Sequence, residues 1–182
     1  MRVLLVGVSC VGKTAIGGLL AGRLDCPFFD LDDEIEKYFG TSIERLQARF
    51  LTGHSYRQEC SVVLKRIATD NKDCVIAVAP SGLRDPYPRF IRTLCCVTVV
   101  IEDKPENILK RITFYDIDSK RIDKCLTDDQ KRLYLRQIKK DITFFRKSYE
   151  RADVHANIAG LDAEASAKRI EGLVKDHWRG RS

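Results

Sequence analysis

The chain has 182 residues, 44% of them hydrophobic and 32% charged, with a formal net charge of +6 at pH 7. That length fits one compact domain with a buried core, and no apolar run approaches the ~20 residues needed to cross a bilayer. The basic residues are scattered among acidic ones, so their surplus suits a polyanionic small ligand better than nucleic acid or a membrane surface. The first apolar stretch, residues 3–6, runs straight into a glycine-rich turn and does not read as a signal peptide; a cytoplasmic address follows. Seven cysteines, an odd number without a C-x-x-C pair, read as reduced thiols rather than a disulfide frame or a zinc site.

Taken in chain order, strands alternate with helices, the pattern of a parallel sheet covered on both faces. Residues 3–6 are a buried strand. Residues 13–24 are a helix with Ile16, Leu19, Leu20 and Leu24 on one face and Gly17, Gly18 and Gly22 allowing close packing. A short strand at 28–30 ends in acidic residues. Thr41-Ser42-Ile43-Glu44 reads as a capping box for a helix to about residue 50, and another helix covers roughly 54–68. Strands follow at 75–79 and 96–101. Pro105 opens a helix through 112, and residues 113–124 are polar with no clear period. Thr127-Asp128-Asp129-Gln130 caps a long helix to about 149, ahead of a last strand at 154–158 and a helix from 162 to about 175. We expect one domain over residues 1–178, acting as a monomer, with a loose end at 179–182.

Residues 7–14, Gly7-Val8-Ser9-Cys10-Val11-Gly12-Lys13-Thr14, match G-x-x-x-x-G-K-[ST] in full, after a strand and before a helix. Glycines let the backbone wrap phosphate oxygens, so successive N–H groups and the helix N-terminus point at the anion. The pattern assigns Gly7, Ser9, Cys10, Val11, Gly12, Lys13, Thr14 and Ala15 to ATP, with Lys13 on the β- and γ-phosphates and the Thr14 hydroxyl on Mg²⁺. Cys10 is a thiol inside the phosphate loop, expected to react with alkylating reagents unless ATP covers it. No guanine-reading N-K-x-D pattern follows a late strand, which counts against a GTPase.

Asp30 and Asp32 fall just beyond the carboxyl end of the second strand, where ligands bind in open α/β sheets. One carboxylate can help hold Mg²⁺; the other can orient an acceptor hydroxyl and take its proton. Asp33 and Glu34 read as an acidic first helical turn. His54, His155 and His177 have no partners at metal-ligand spacing.

The phosphate loop, the D-x-D and the run PFFDLDDEIEKYFGTSI resemble the shikimate kinases, over nearly the whole chain. The resemblance implies a three-layer α/β P-loop kinase fold: a five-stranded parallel sheet with helices on both faces, an acceptor-binding region at about 31–70 and a mobile lid at about 113–126. It further implies Thr14 and Asp30 at the Mg²⁺ site, Asp32 as the base on the acceptor, and Arg111 stacking on adenine. Three acceptor-side motifs depart from the family pattern, and so does the lid, where Ser119-Lys120-Arg121-Ile122-Asp123-Lys124 stands. Tyr56-Arg57-Gln58-Glu59 stands for FRxxE, so the carboxylate-binding arginine, here Arg57, is one residue nearer the glutamate. Ala79-Pro80-Ser81-Gly82 replaces a glycine run, leaving Ser81 and Gly82 to line a differently shaped pocket. Phe145-Arg146-Lys147-Ser148-Tyr149 stands for R-x-P-L-Y, with Arg146 again one place out. In the lid, Arg121 is the candidate catalytic cation.

Two readings follow. One is an ATP-dependent phosphotransferase acting on a hydroxyl of a small molecule, shikimate by default or another acceptor. The other is a nucleotide-binding regulatory protein without catalysis. Asp32 and an arginine facing one cavity beside the phosphate loop favour the enzyme; Pro80 and Tyr56 filling that cavity favour the regulator.

Overall fold

The computed structural model describes residues 1–180; 181 and 182, part of the expected loose end, lie outside the described residues. Five strands form one parallel sheet in the order β2-β3-β1-β4-β7: β1 (Arg2–Val6), β2 (Phe28–Asp30), β3 (Cys74–Ala77), β4 (Cys96–Glu102) and β7 (Val154–Asn157). The central strands β1, β3 and β4 are buried almost throughout, as sheet covered on both faces requires. Edge strand β7 alternates instead, Val154 and Ala156 inward, His155 and Asn157 outward.

Parallel connections are right-handed, so the direction of each crossover decides which face its helix covers. The chain steps one way from β1 to β2 through α1 (Lys13–Arg23) and the other way in every later crossover. Hence α1 lies on one face, where α8 (Ala163–Arg179) joins it, Arg23 bonding Glu171 (2.7 Å) and Glu164 (3.0 Å). The opposite face takes α2 (Leu31–Phe39), α3 (Ile43–Gln47), α4 (Gly53–Asp70), α5 (Tyr87–Ile91), α6 (Pro105–Lys110) and α7 (Asp128–Tyr149). Arg179, expected in the loose end, is the last residue of α8.

Some local expectations need correction. The N-cap of α3 is Ser42, not Thr41: Arg45 N–H donates to Ser42 Oγ (3.4 Å), and Ile43 N–H donates to Glu36 Oε1 (2.8 Å). The Thr127 capping box of α7 forms with Gln130 as expected. The stretch 113–124 contains a hairpin of β5 (Phe114–Tyr115) and β6 (Arg121–Ile122), too short to show a period in sequence. Its tip docks on α2 and α3. Ser42 Oγ donates to Ile117 O (2.6 Å), Arg45 pairs with Asp118 (2.7 Å), and Ser119 Oγ donates to Glu36 Oε1 (2.5 Å).

Of the three glycines in α1, only Gly17 makes a close approach. A Cβ there would stand 2.4 Å from the Phe28 ring, whereas Gly18 and Gly22 face open space. Gly17→Ala is therefore expected to destabilise the fold by about 1–3 kcal/mol despite the better helix propensity of alanine. Gly18→Ala should be neutral or stabilising; urea denaturation of the two variants separates packing from propensity.

Candidate active site

The loop between β1 and α1 turns on two residues of unusual backbone. Gly7 has φ +153°, and a Cβ on it would lie 2.8 Å from the Ile101 carbonyl of β4; Gly12, at φ +108°, is the N-cap of α1. A side chain is excluded at the first position by contact and strained at the second by conformation. Cys10 also has positive φ (60°) and is half-buried, while Ser9, Thr14 and Ala15 are exposed. Val11 faces inward and is fully buried, so what it offers the loop is backbone.

Lys13 Nζ folds back over the loop, donating to the carbonyls of Gly7 (3.0 Å) and Val8 (3.1 Å). Burial holds this amine below the usual lysine range, opposed by the nearby charges of Asp32 and Asp30. Thr14 Oγ1 donates to Asp30 Oδ2 (2.7 Å), placing an alcohol and a carboxylate side by side where the loop meets β2. These oxygen donors fit a hard divalent cation bound beside phosphates. Among the described residues no cluster of three His, Cys, Asp or Glu side chains stands ready for a metal.

Asp30 ends β2 and caps α2, accepting from Asp32 N–H (3.2 Å). Asp32 thus lies in the first turn of α2 rather than on a prolonged strand, alongside Asp33 and Glu34. Its carboxyl is pushed up to about 6, chiefly by burial and then by the Asp30 charge, with Lys13 pulling the other way.

A cavity of about 600 Å³ opens beside the loop, lined by Ser9, Asp32, Tyr56, Arg57, Ser81 and Asp141 among others. Gln47, Thr52, Pro80 and Phe145 are also part of its walls. Tyr56 and Pro80 border this cavity without filling it. Ser81 reaches it from the turn after β3. Gly82 does not: it is buried against Val78, where a Cβ would come within 2.4 Å of Cγ2.

On α7 the expected residue is displaced. Arg146 lines a separate cavity of about 420 Å³ with Ile142, Tyr149 and His155, and its guanidinium lies 3.8 Å from Glu150. Phe145 and Asp141, four residues apart and so on one helix face, border the cavity beside the phosphate loop instead. Advancing by one residue turns the side chain by about 100°, which explains the exchange. The spacing to Tyr149, whose hydroxyl donates to Pro80 O (3.0 Å) and so fixes the phase of α7, was the signal available in sequence.

Arg121, on β6, does not reach the phosphate loop. It is largely exposed, lies 3.7 Å from Asp123, and lines a cleft within the hairpin with Phe114 and Lys124. Arg111, just after α6, is ion-paired with the almost fully buried carboxylate of Asp103 and lines neither loop-side cavity.

A parallel five-stranded sheet, a phosphate loop between β1 and α1, and acidic residues at the end of β2 define the class as a P-loop phosphotransferase. Residues 9–173 match the family described as shikimate kinase. The shikimate kinase of Aquifex aeolicus strain VF5 is 27% identical over 155 residues, 85% of this chain and 84% of that protein. That of Francisella tularensis subsp. novicida strain U112 is 28% identical over 174 residues, 95% and 90% of the two. The solved structure of the A. aeolicus enzyme covers 99% of both chains with a TM-score of 0.73. A shikimate kinase from Acinetobacter baumannii in complex with shikimate shares the fold, with a TM-score of 0.70 at 23% identity over 96% of this chain and 93% of that one. The chain belongs to the shikimate kinase family, and it is a kinase of that type, transferring a phosphoryl group to a hydroxyl of a small molecule.

The raised Asp32 value has a thermodynamic consequence with a definite sign. The folded chain binds this proton more tightly than the unfolded chain, whose value is near 3.8. The stability it confers is present at low pH and declines as pH rises through about 6. In Mg²⁺-free buffer at pH 7.5, Asp32→Asn should raise unfolding stability by about 1–3 kcal/mol. The gap to wild type should close towards pH 4; a deficit at pH 7.5 would contradict the assignment.

Proposed function

We propose that the chain transfers the γ-phosphoryl group of ATP, with Mg²⁺, to a hydroxyl of shikimate. The observation that carries this reading is that Asp32 and Arg57 line one cavity with Ser9 of the phosphate loop. A hydroxy acid placed there meets a base at one end and a guanidinium fork at the other.

The loop backbone and Lys13 hold the phosphates, Lys13 exchanging the Gly7 and Val8 carbonyls for phosphate oxygens. Thr14 and Asp30 hold Mg²⁺, which when bound neutralises charge on the phosphate oxygens. Asp32 accepts a hydrogen bond from the acceptor hydroxyl, aims its oxygen, and takes the proton as the new bond forms. With its value near 6, Asp32 is ionised at neutral pH and basic enough to serve. Arg57 and Ser81 bind the far end of the acceptor, and Arg111, steadied by Asp103, offers a flat cation to the adenine. Most of the rate enhancement comes from positioning and fixed charge. We carry the same reading to a monomer in the cytosol.

ADP release from Mg-ATP, with and without shikimate, tests the acceptor directly. Wild type should show shikimate-dependent turnover, and Lys13→Ala should lower it by about 10²-fold or more. ATP binding without shikimate stimulation would retire this acceptor. A second check uses the loop thiol: Mg-ATP should slow alkylation of Cys10, measured by peptide mass. Equal rates with and without the nucleotide would mean that ATP does not cover the thiol.

A further inference from the structure

We propose that Arg84 joins Arg57 in gripping the carboxylate of the acceptor, so that the loop after β3 supplies a guanidinium that α7 does not. The inference rests on the phosphotransferase reading above and deepens it.

Arg84 closes the turn that begins at Ser81. Its N–H donates to Ser81 O (2.8 Å), and Ser81 lines the acceptor-side cavity. The turn is anchored by the buried Gly82 and Leu83, so Arg84 leaves it on a fixed base three residues after Ser81, beside the cavity wall rather than part of it. Its guanidinium rests 4.5 Å above the Phe144 ring. Phe144 in turn packs edge-on against Phe145, which borders the cavity. Arg57 approaches from α4, its Nε donating to Asp85 O (2.9 Å), which leaves the terminal nitrogens for a ligand.

Both arginines are half-buried, and neither has an ion-pair partner among the described residues. The adjacent acid is engaged elsewhere, Asp85 facing Arg89 (2.8 Å) and His54 (3.5 Å). Burial and the charge of Arg84 together hold Arg57 below the usual arginine range. Two like charges drawn partly out of water and close enough to repel are unfavourable until an anion sits between them. The Arg84 contact with an aromatic face is the weaker kind of cation interaction, and a charge-assisted bond to a carboxylate outcompetes it. Asp32 lines the same cavity, so a carboxylate on the arginine pair leaves the hydroxyl end of the acceptor facing the base.

The experiment compares wild type with Arg84→Ala, Arg84→Lys, Arg57→Ala and the double alanine variant. ADP release gives kcat and KM for both substrates, and calorimetry gives Kd for shikimate. Arg84→Ala should raise KM and Kd for shikimate about 10–100-fold, with kcat and the KM for ATP within about twofold. Arg84→Lys should recover part of the loss. The double variant should lose less than the product of the single effects, because both groups hold one carboxylate. An unchanged shikimate Kd in Arg84→Ala overturns the pair, as does a loss shared equally with ATP, which marks a structural role. If wild type turns shikimate over and Arg84→Ala matches it, the reaction reading stands and the pair falls. If shikimate binds in an Arg84-dependent way without ADP release, the pair stands and the acceptor assignment falls. A wild type that binds no shikimate overturns both.

Discussion

The Asp30 carboxylate joins the parts of this site that come from different stretches of chain. One oxygen accepts from Thr14 at the start of α1; the other accepts the Asp32 N–H and starts α2. The same charge raises the proton affinity of Asp32 beside it. The phosphate loop and the proposed acceptor base are therefore positioned by a single side chain at the end of β2. The sheet makes this possible. With β2 next to β3 and β3 next to β1, every carboxyl end lies on one edge, and Asp30 stands level with Ala77 there. A charge-assisted bond such as Thr14–Asp30 contributes about 1.5–3 kcal/mol, and much of that would be returned if, as proposed, the threonine turned to a cation. The loop is thus held ready rather than locked.

The nucleotide half was legible in sequence because its chemistry is local. Eight consecutive residues from Gly7 to Thr14 make the cradle, and Asp30 and Asp32 follow after one helix. The buried strands were legible too, since parallel strands covered on both faces are continuous apolar runs. The acceptor half was less so, for a geometric reason. Its walls come from helices, where a displacement of one residue redirects a side chain by about 100°. Whether Phe145 or Arg146 faces the cavity depends on the phase of α7, and that phase is fixed by contacts such as Tyr149 to Pro80, 69 residues away. At α4 the same question has a gentler answer, because Tyr56 and Arg57 both border the space.

The hairpin shows a different limit. Its two strands are two residues each, and what holds its tip is remote: Ser42, Arg45 and Glu36 on the α2–α3 segment meet Ile117, Asp118 and Ser119. In sequence those residues carry no motif, and Glu36 reads as one more acid of an acidic helix. In the fold Glu36 accepts from both Ile43 N–H and Ser119 Oγ, so one carboxylate ties the start of α3 to the hairpin. Arg121 is basic and falls in the stretch expected to form a lid. In the fold it pairs across the hairpin with Tyr115, stays exposed and meets Asp123 (3.7 Å) rather than the phosphate loop.

Polarity within the acceptor-side cavity then gives the site a direction. Asp32 stands by the phosphate loop, whereas Arg57 faces the turn after β3, where its Nε meets Asp85 O. A neutral polyol would find hydroxyl partners at either end and have little reason to prefer one orientation. A hydroxy acid does not have that freedom. Its carboxylate is repelled by Asp32 and drawn to the guanidinium side, so its hydroxyls face the carboxylate proposed to take the proton. Charge separation across a cavity of about 600 Å³ does for orientation what the glycine cradle does for the phosphates. It fixes geometry before the reaction begins, which is where a phosphoryl-transfer site gains most of its rate.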